Sequence, residues 1–140
     1  MAYLFGTPEW AGALERELNE SSEYRNAAVK WGIGFNGDML FAFRPDGGLA
    51  EPVHLLIRLQ GGSCQGAEFL DGARPSDVGF TLSASFGLWK EILERRTLAA
   101  TAILTGKLRV DGEKVMLLKH TAANRALIHC TASVDTVWPD

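Results

Sequence analysis

The sequence predicts an α+β layer fold in which an about five-stranded mixed or antiparallel sheet packs against helices. Three observations lead there. Two stretches of helical period precede any strand, four stretches of alternating apolar and polar residues then follow one another, and beyond Ser83-Ala84-Ser85 the helical period returns.

Thr7-Pro8 reads as an N-cap followed by proline at the first helical position, and Trp10, Leu14 and Leu18 recur at i, i+4 and i+8. A second helix is expected after Ser21 or Ser22, with Tyr24, Ala27, Ala28 and Trp31 on one side and an end before Gly32. Residues 1–32 thus read as a helical N-terminal extension of one domain covering 1–140.

Met39, Phe41 and Phe43 alternate with Leu40, Ala42 and Arg44 in a first strand, closed by the turn Pro45-Asp46-Gly47-Gly48. In a second strand, Val53, Leu55, Ile57 and Leu59 take one face and His54, Leu56, Arg58 and Gln60 the other. Cys64 to Leu70 fits a third, against which Gly66 and Glu68 count. Val78, Phe80 and Leu82 mark a fourth that runs into the serine corner.

There the period changes. Phe86, Trp89, Ile92 and Leu93 form an apolar stripe with Leu88 beside it, and Lys90, Glu91, Glu94 and Arg95 face away. Leu98 to Leu104 is apolar nearly all round, which predicts a mostly buried helix capped by Gly106. Lys107 to Val110 alternates as a short strand before the turn at Asp111-Gly112. Two readings stand after it: a type I′ hairpin continuing through Val115 to Leu117, or a helix with Glu113 in its first turn. Ala122 to Ser133 then reads as a helix, or a helix followed by a strand.

At 46% hydrophobic and 22% charged residues the composition is that of an ordinary globular chain. Leu98 to Leu104, the longest uncharged apolar stretch, is far short of the ~20 residues that span a bilayer. The opening Met1-Ala2-Tyr3-Leu4-Phe5 lacks the basic flank and apolar run of a secretory signal, so a cytoplasmic location is expected, with Cys64 and Cys130 as reduced thiols.

A net charge of −3 argues against nucleic acid as a partner. Between Lys90 and Arg125, however, eight basic residues outnumber Glu91, Glu94, Asp111 and Glu113, giving +4. The i,i+4 pairs Lys90/Glu94 and Glu91/Arg95 make this a solvated helical face; transient docking on an anionic membrane is the alternative.

Reactive side chains do not assemble into known chemistry. His120, His129 and Cys130 invite a metal, yet nine residues between the histidines puts them half a turn out of phase on a helix. His54 has no acid or nucleophile at a diagnostic spacing, and Ser63, Ser76, Ser83 and Ser85 lack the flanking glycines of a nucleophile elbow. Gly32, Gly34 and Gly37 do not follow a strand, as a phosphate loop would require. Cys64 reads as a packed small side chain. Neither a cofactor nor a catalytic group is expected.

The run TGKLRVDG from Thr105, followed by EKVMLLKH, resembles the hallmark of the sterol carrier protein lipid-binding domain. SDVGFTLSAS and FGLWKEIL are similar to the strand and pocket helix of that family, and GTPEWAGALERELNESSEYRNAAVKW resembles the helical front end of its bacterial branch. The resemblance covers nearly the whole chain and favours the helix after Gly112. It implies an apolar tunnel between the sheet and the later helices, holding a fatty acyl or sterol-like molecule on which no chemistry is done.

The pool for the tunnel lining is Phe41, Phe43, Phe80, Leu82, Phe86, Trp89, Ile92, Leu93, Ile103, Met116 and Leu117, with Trp89 and Met116 foremost. Any domain of this size needs similar residues for its core alone. Two departures alter the mouth: Glu113 stands where Asp or Asn is frequent, and Glu94-Arg95-Arg96 replaces a glycine-containing turn, so sterol itself is not implied. Two other classes compete. One is an interaction or dimerisation module with a filled core; the other is an enzyme using His120 or His129 as base, which would need a strongly perturbed group in the pocket.

Overall fold

The computed structural model describes residues 2–72 and 77–139; Ser76 lies outside them. Helix α1 (Pro8–Glu20) starts where Thr7 holds an extended backbone and its hydroxyl accepts from the Trp10 N–H at 3.3 Å. Helix α2 (Ser22–Ala27) repeats the device, with Ser21 Oγ accepting from Tyr24 N at 3.0 Å. It ends earlier than its apolar side suggested, and turns carry the buried Ala28 and Trp31 onward to Gly32. The front end is not purely helical: β1 (Tyr3–Leu4) pairs in parallel with β7 (Thr136–Val137).

The main sheet holds β2 (Met39–Arg44), β3 (Val53–Gln60), β4 (Ser63–Leu70), β5 (Phe80–Ser85) and β6 (Arg109–Asp111) in the order β4-β3-β2-β5-β6. Strands β2 and β5 run parallel and all other neighbours antiparallel, so the sheet is mixed. Asp38 sets the register at the entrance of β2. Its Oδ1 accepts from Leu59 N at 3.0 Å, Oδ2 meets Arg58 at 3.4 Å, and its carbonyl accepts from Gly79 N and Phe80 N at 3.2 Å. One residue thereby ties the first strand to both neighbours. At the outer edge, the Asn19 side chain of α1 accepts from Cys64 N at 2.8 Å and donates to Cys64 O at 2.9 Å.

Helix α3 (Phe86–Leu93) begins at the serine corner, where Ser85 Oγ accepts from Leu88 N at 3.2 Å. Its outward charges do not form the expected i,i+4 pairs. Arg96 pairs with Glu94 at 2.6 Å, Arg95 donates to Ser133 Oγ at 3.2 Å, and Lys90 Nζ lies 5.9 Å from the Trp138 ring centroid. Just past the helix end, Arg95 takes a positive φ of 64°.

Helix α4 (Ala99–Leu104) corrects the expectation of a buried helix: Ala102 is its one buried residue, and Leu98 and Leu104 are 74% and 85% exposed. Six residues offer one short contact face, and apolar composition does not by itself put a helix inside. After β6, Gly112 (φ 125) leads into helix α5 (Lys114–Lys119), so the helix is the observed alternative to a hairpin. Helix α6 (Thr121–Ser133) precedes β7.

Candidate ligand-binding site

The inward face of the sheet follows from alternation and register. Met39, Phe41 and Phe43 of β2 stand beside Ile57, Leu55 and Val53 of β3 and beside Phe80, Leu82 and Ala84 of β5; Val110 of β6 continues the row from Leu82. Over β2 lies α3. The Trp89 ring stacks on Phe41 at 4.7 Å and 25°, tilts against Phe43 at 5.0 Å, and donates Nε1–H to the Ala42 carbonyl at 2.9 Å. Phe5 then joins Phe43, Phe86, Trp10, Phe69 and Trp138 with ring centroids 5.0–5.7 Å apart.

Six expected lining residues, Phe41, Phe43, Phe86, Trp89, Ile92 and Leu93, are therefore buried in a closed aromatic and aliphatic core. Their sequence signal was sound as to burial, but Phe41, Phe43 and Trp89 pack on one another.

Of the other five, Phe80 and Leu82 are buried in the same core, and three are only partly buried. Phe80 touches Trp31 at 5.1 Å and Phe35 at 6.3 Å, and both of those rings reach His120. Leu82 is buried opposite Val110 on the edge strand. Ile103, Met116 and Leu117 are only partly buried, packed on the core from α4 and α5. Helix α5 contains the consecutive apolar residues Val115, Met116, Leu117 and Leu118, and no residue of it is fully buried. Val115 is 60% and Leu118 73% exposed.

The attachments of α5 are lopsided. At its C-terminal end, Asn124 Nδ2 donates to the Leu117 and His120 carbonyls at 3.1 Å, and Thr121 Oγ1 donates to Leu118 O at 2.8 Å. At its start, Glu113 makes no side-chain capping bond, and the preceding Gly112 has a positive φ. Pattern reading missed the exposed Leu98, Leu104, Val115 and Leu118; the one available signal was Val115 and Leu118 at i,i+3 between Lys114 and Lys119.

Two surface depressions lie elsewhere. One of about 280 Å³ is bordered by Glu15, Arg58 and Glu68, and one of about 530 Å³ by Asp46, Lys90, Glu91 and Arg96. Of the eleven expected lining residues only Phe86 borders either, and the charged rims suit water better than an alkyl chain.

The titratable groups form no reactive constellation among the described residues. His129 Nδ1 lies 3.4 Å from Glu23, while His120 faces Trp31 and Phe35. Burial pushes the Cys64 thiol up to about 11 and also raises Cys130. Burial, then the two nearby cysteines, raises the Tyr24 hydroxyl, which has no hydrogen-bond partner among the described residues. Such shifts hold these groups neutral, the opposite of an activated nucleophile. Ser85 is occupied as a helix cap and Ser63 Oγ donates to Gln60 O. No group of three or more His, Cys, Asp and Glu among the described residues could hold a metal.

Comparison with known proteins gives one consistent pattern. The sequence profile described as the SCP-2 sterol transfer family matches residues 36–123. A crystal structure of sterol carrier protein 2 is 32% identical with a TM-score of 0.83, over 93% of this chain and 98% of that one. The solution structure of a conserved hypothetical protein from Thermus thermophilus is 29% identical with a TM-score of 0.82, over 98% and 94% of the two chains. Sterol carrier protein 2 from Yarrowia lipolytica, 14% identical with a TM-score of 0.55 over 87% and 88%, shares the fold. No curated protein matches the chain.

Proposed function

Because the chain belongs to the SCP-2 sterol transfer family, we propose that it binds an apolar small molecule, fatty acyl or sterol-like, between its sheet and helices α4 and α5, and hands it on chemically unchanged. The observation that carries this reading is the state of α5, an apolar helix with no buried residue. Apolar area left open at the end of an otherwise closed core is what an apolar guest would cover.

Magnitudes favour a site that opens for its guest. At about 0.8 kcal/mol per buried methylene, a sixteen-carbon chain supplies on the order of 12 kcal/mol before ordering costs, with no charged anchor. A dry cavity of ~300 Å³ would cost about 7 kcal/mol at the slope for mutant cavities, comparable to the stability of a whole domain. A carrier without cargo should therefore close upon itself. Opening would swing α5 away from the sheet about its anchored end at Asn124, with Gly112 giving at the other. The lining would then be Phe80, Leu82, Ile103, Met116 and Leu117, with the Trp89 group as its floor.

Native mass spectrometry of protein from its own host, before and after solvent extraction, should show an apolar molecule leaving. A fluorescent fatty acyl probe should bind at micromolar protein, and Met116→Lys should weaken it by tenfold or more, since a charge would enter the lining. If no apolar molecule co-purifies and the probe fails to bind, the carrier reading falls and the exposed α4 and α5 side chains belong to a protein contact.

A further inference from the structure

We infer that His120 is the specificity-determining residue of the proposed site, its imidazole hydrogen-bonding the oxygen head of an amphiphilic guest whose tail lies along α5. The inference rests on the carrier reading and adds to it the class of cargo, a long apolar body ending in a carboxylate.

Helix α5 is bracketed by one cluster of rings. At its start, a Cβ on Gly112 would lie 2.9 Å from the Phe80 ring, so the backbone there rests on Phe80. At its end, the His120 ring meets Trp31 edge-on at 5.3 Å and 80°, and Phe35 at 5.8 Å. Trp31 and Phe35 are also the two rings against Phe80, at 5.1 and 6.3 Å. Phe80 belongs to the proposed lining, and His120 stands one ring away from it. Exposure grades along the cluster: Trp31 and Phe80 are buried, whereas Phe35 and His120 are half-buried. The histidine therefore stands where the rings meet water, the place for the polar end of an amphiphile.

The other polar side-chain donors here are already engaged. Trp31 Nε1–H donates to the Gly37 carbonyl at 2.8 Å, and Asn124 Nδ2 is taken by the Leu117 and His120 carbonyls. Among the described residues neither ring nitrogen of His120 has a hydrogen-bond partner. An imidazole carries one N–H donor when neutral and two when protonated, so it can donate to a carboxylate in either state. Its backbone is already ordered: His120 N donates to Leu117 O at 3.2 Å, and His120 O accepts from Asn124 N and Nδ2, both at 3.1 Å. A group at the anchored end of α5 keeps its place while the other end opens, which lowers the ordering cost of binding.

Local charge selects the kind of head. Between positions 107 and 125, Lys107, Arg109, Lys114, Lys119 and Arg125 stand against Asp111 and Glu113, a net +3 in a chain of −3, leaving −6 on the remainder. This stretch attracts an acidic head and repels a cationic one.

Fluorescence titration of the full chain tests the assignment with two probes: cis-parinaric acid, a polyene ending in a carboxylate, and diphenylhexatriene, a hydrocarbon without a head. His120→Phe keeps a ring against Trp31 and Phe35 and loses both nitrogens. It should bind the acid about tenfold more weakly, the loss of one hydrogen bond to a charged group, and diphenylhexatriene as tightly as wild type. His120→Gln restores a donor and an acceptor and should recover part of the acid affinity. A long-chain alcohol competing for the site should weaken only about two- to threefold in His120→Phe, as for a neutral hydrogen bond.

Unchanged acid affinity in His120→Phe, equal loss of both probes, or no recovery in His120→Gln would overturn the assignment. An alcohol weakened as much as the acid would give the site to a hydroxyl head and overturn the carboxylate. In each of these cases wild type still binds the probes, so the carrier reading survives. If neither probe binds wild type, the carrier and the role of His120 fall together.

Discussion

Replacing Trp89 by alanine tests whether the core beneath the proposed site is closed. The ring is fully buried, stacks on Phe41, leans on Phe43 and donates to the Ala42 carbonyl, so its removal empties a packed space and orphans a buried acceptor. Truncation of a packed tryptophan costs about 3–5 kcal/mol, and the carbonyl falls within the same range once water can reach it. With roughly 2.1 cal/mol/K of unfolding entropy per residue, the 140 residues convert about 4 kcal/mol into a fall of about 13 °C in Tm. Trp89→Phe, which keeps a stacking ring and loses the N–H, should cost about 1–3 kcal/mol. Urea unfolding followed by far-ultraviolet circular dichroism measures both without relying on the tryptophan signal that the variants alter. A loss below about 1 kcal/mol for Trp89→Ala, with an unchanged denaturant slope, would show that one side of the ring already faces a hollow and refute the closed-core reasoning.

Three further outcomes are expected. Gly112→Ala should cost about 3 kcal/mol or more, because φ is +125° and a Cβ would meet the Gly79 carbonyl oxygen at 2.5 Å; Gly106→Ala, with φ +76° and open space, should cost only about 1–2 kcal/mol by chemical denaturation. Thr7→Ala removes the α1 cap and should cost about 1 kcal/mol in the same assay. Stability should fall as pH rises above the usual thiol and phenol range: Cys64, raised to about 11, and Tyr24, raised above its usual value, keep their protons in the native state after the unfolded chain has released them. Tm measured through pH 8 to about 10.5 should show this decline, less steeply in Tyr24→Phe, and native thiols should alkylate slowly at the lower end.

Much of the scaffold was legible because its signals are local. Thr7, Ser21 and Ser85 are capping side chains whose hydrogen bonds reach three residues along the chain, and the alternation from Val53 to Gln60 is itself the pleat of β3. What escaped depends on distant partners. Strands β1 and β7 are two residues each and exist only because the two segments meet, and Phe5, the hub of the ring cluster, lies outside any periodic stretch. Helix α4 misled for the same reason, since apolar composition is a preference for burial and the fold decides whether a surface is there to bury it. The candidate site was the hardest part: a phenylalanine that would line a hollow and one that fills a core present the same side chain, and Phe41 and Phe80 are both buried, one against Trp89 and the other against Trp31.

The clasp of Asn19 on Cys64 reaches beyond the positioning of a helix. An amide side chain that takes up both backbone groups of a border residue imitates the next strand of the sheet for the length of one residue. A stray extended peptide, or the same border of another molecule, finds those two groups of β4 already engaged, so growth by strand addition is interrupted there. Asn19→Ala would release them, and slow fibrillar association at raised concentration, more than any loss of melting temperature, is where that change should register.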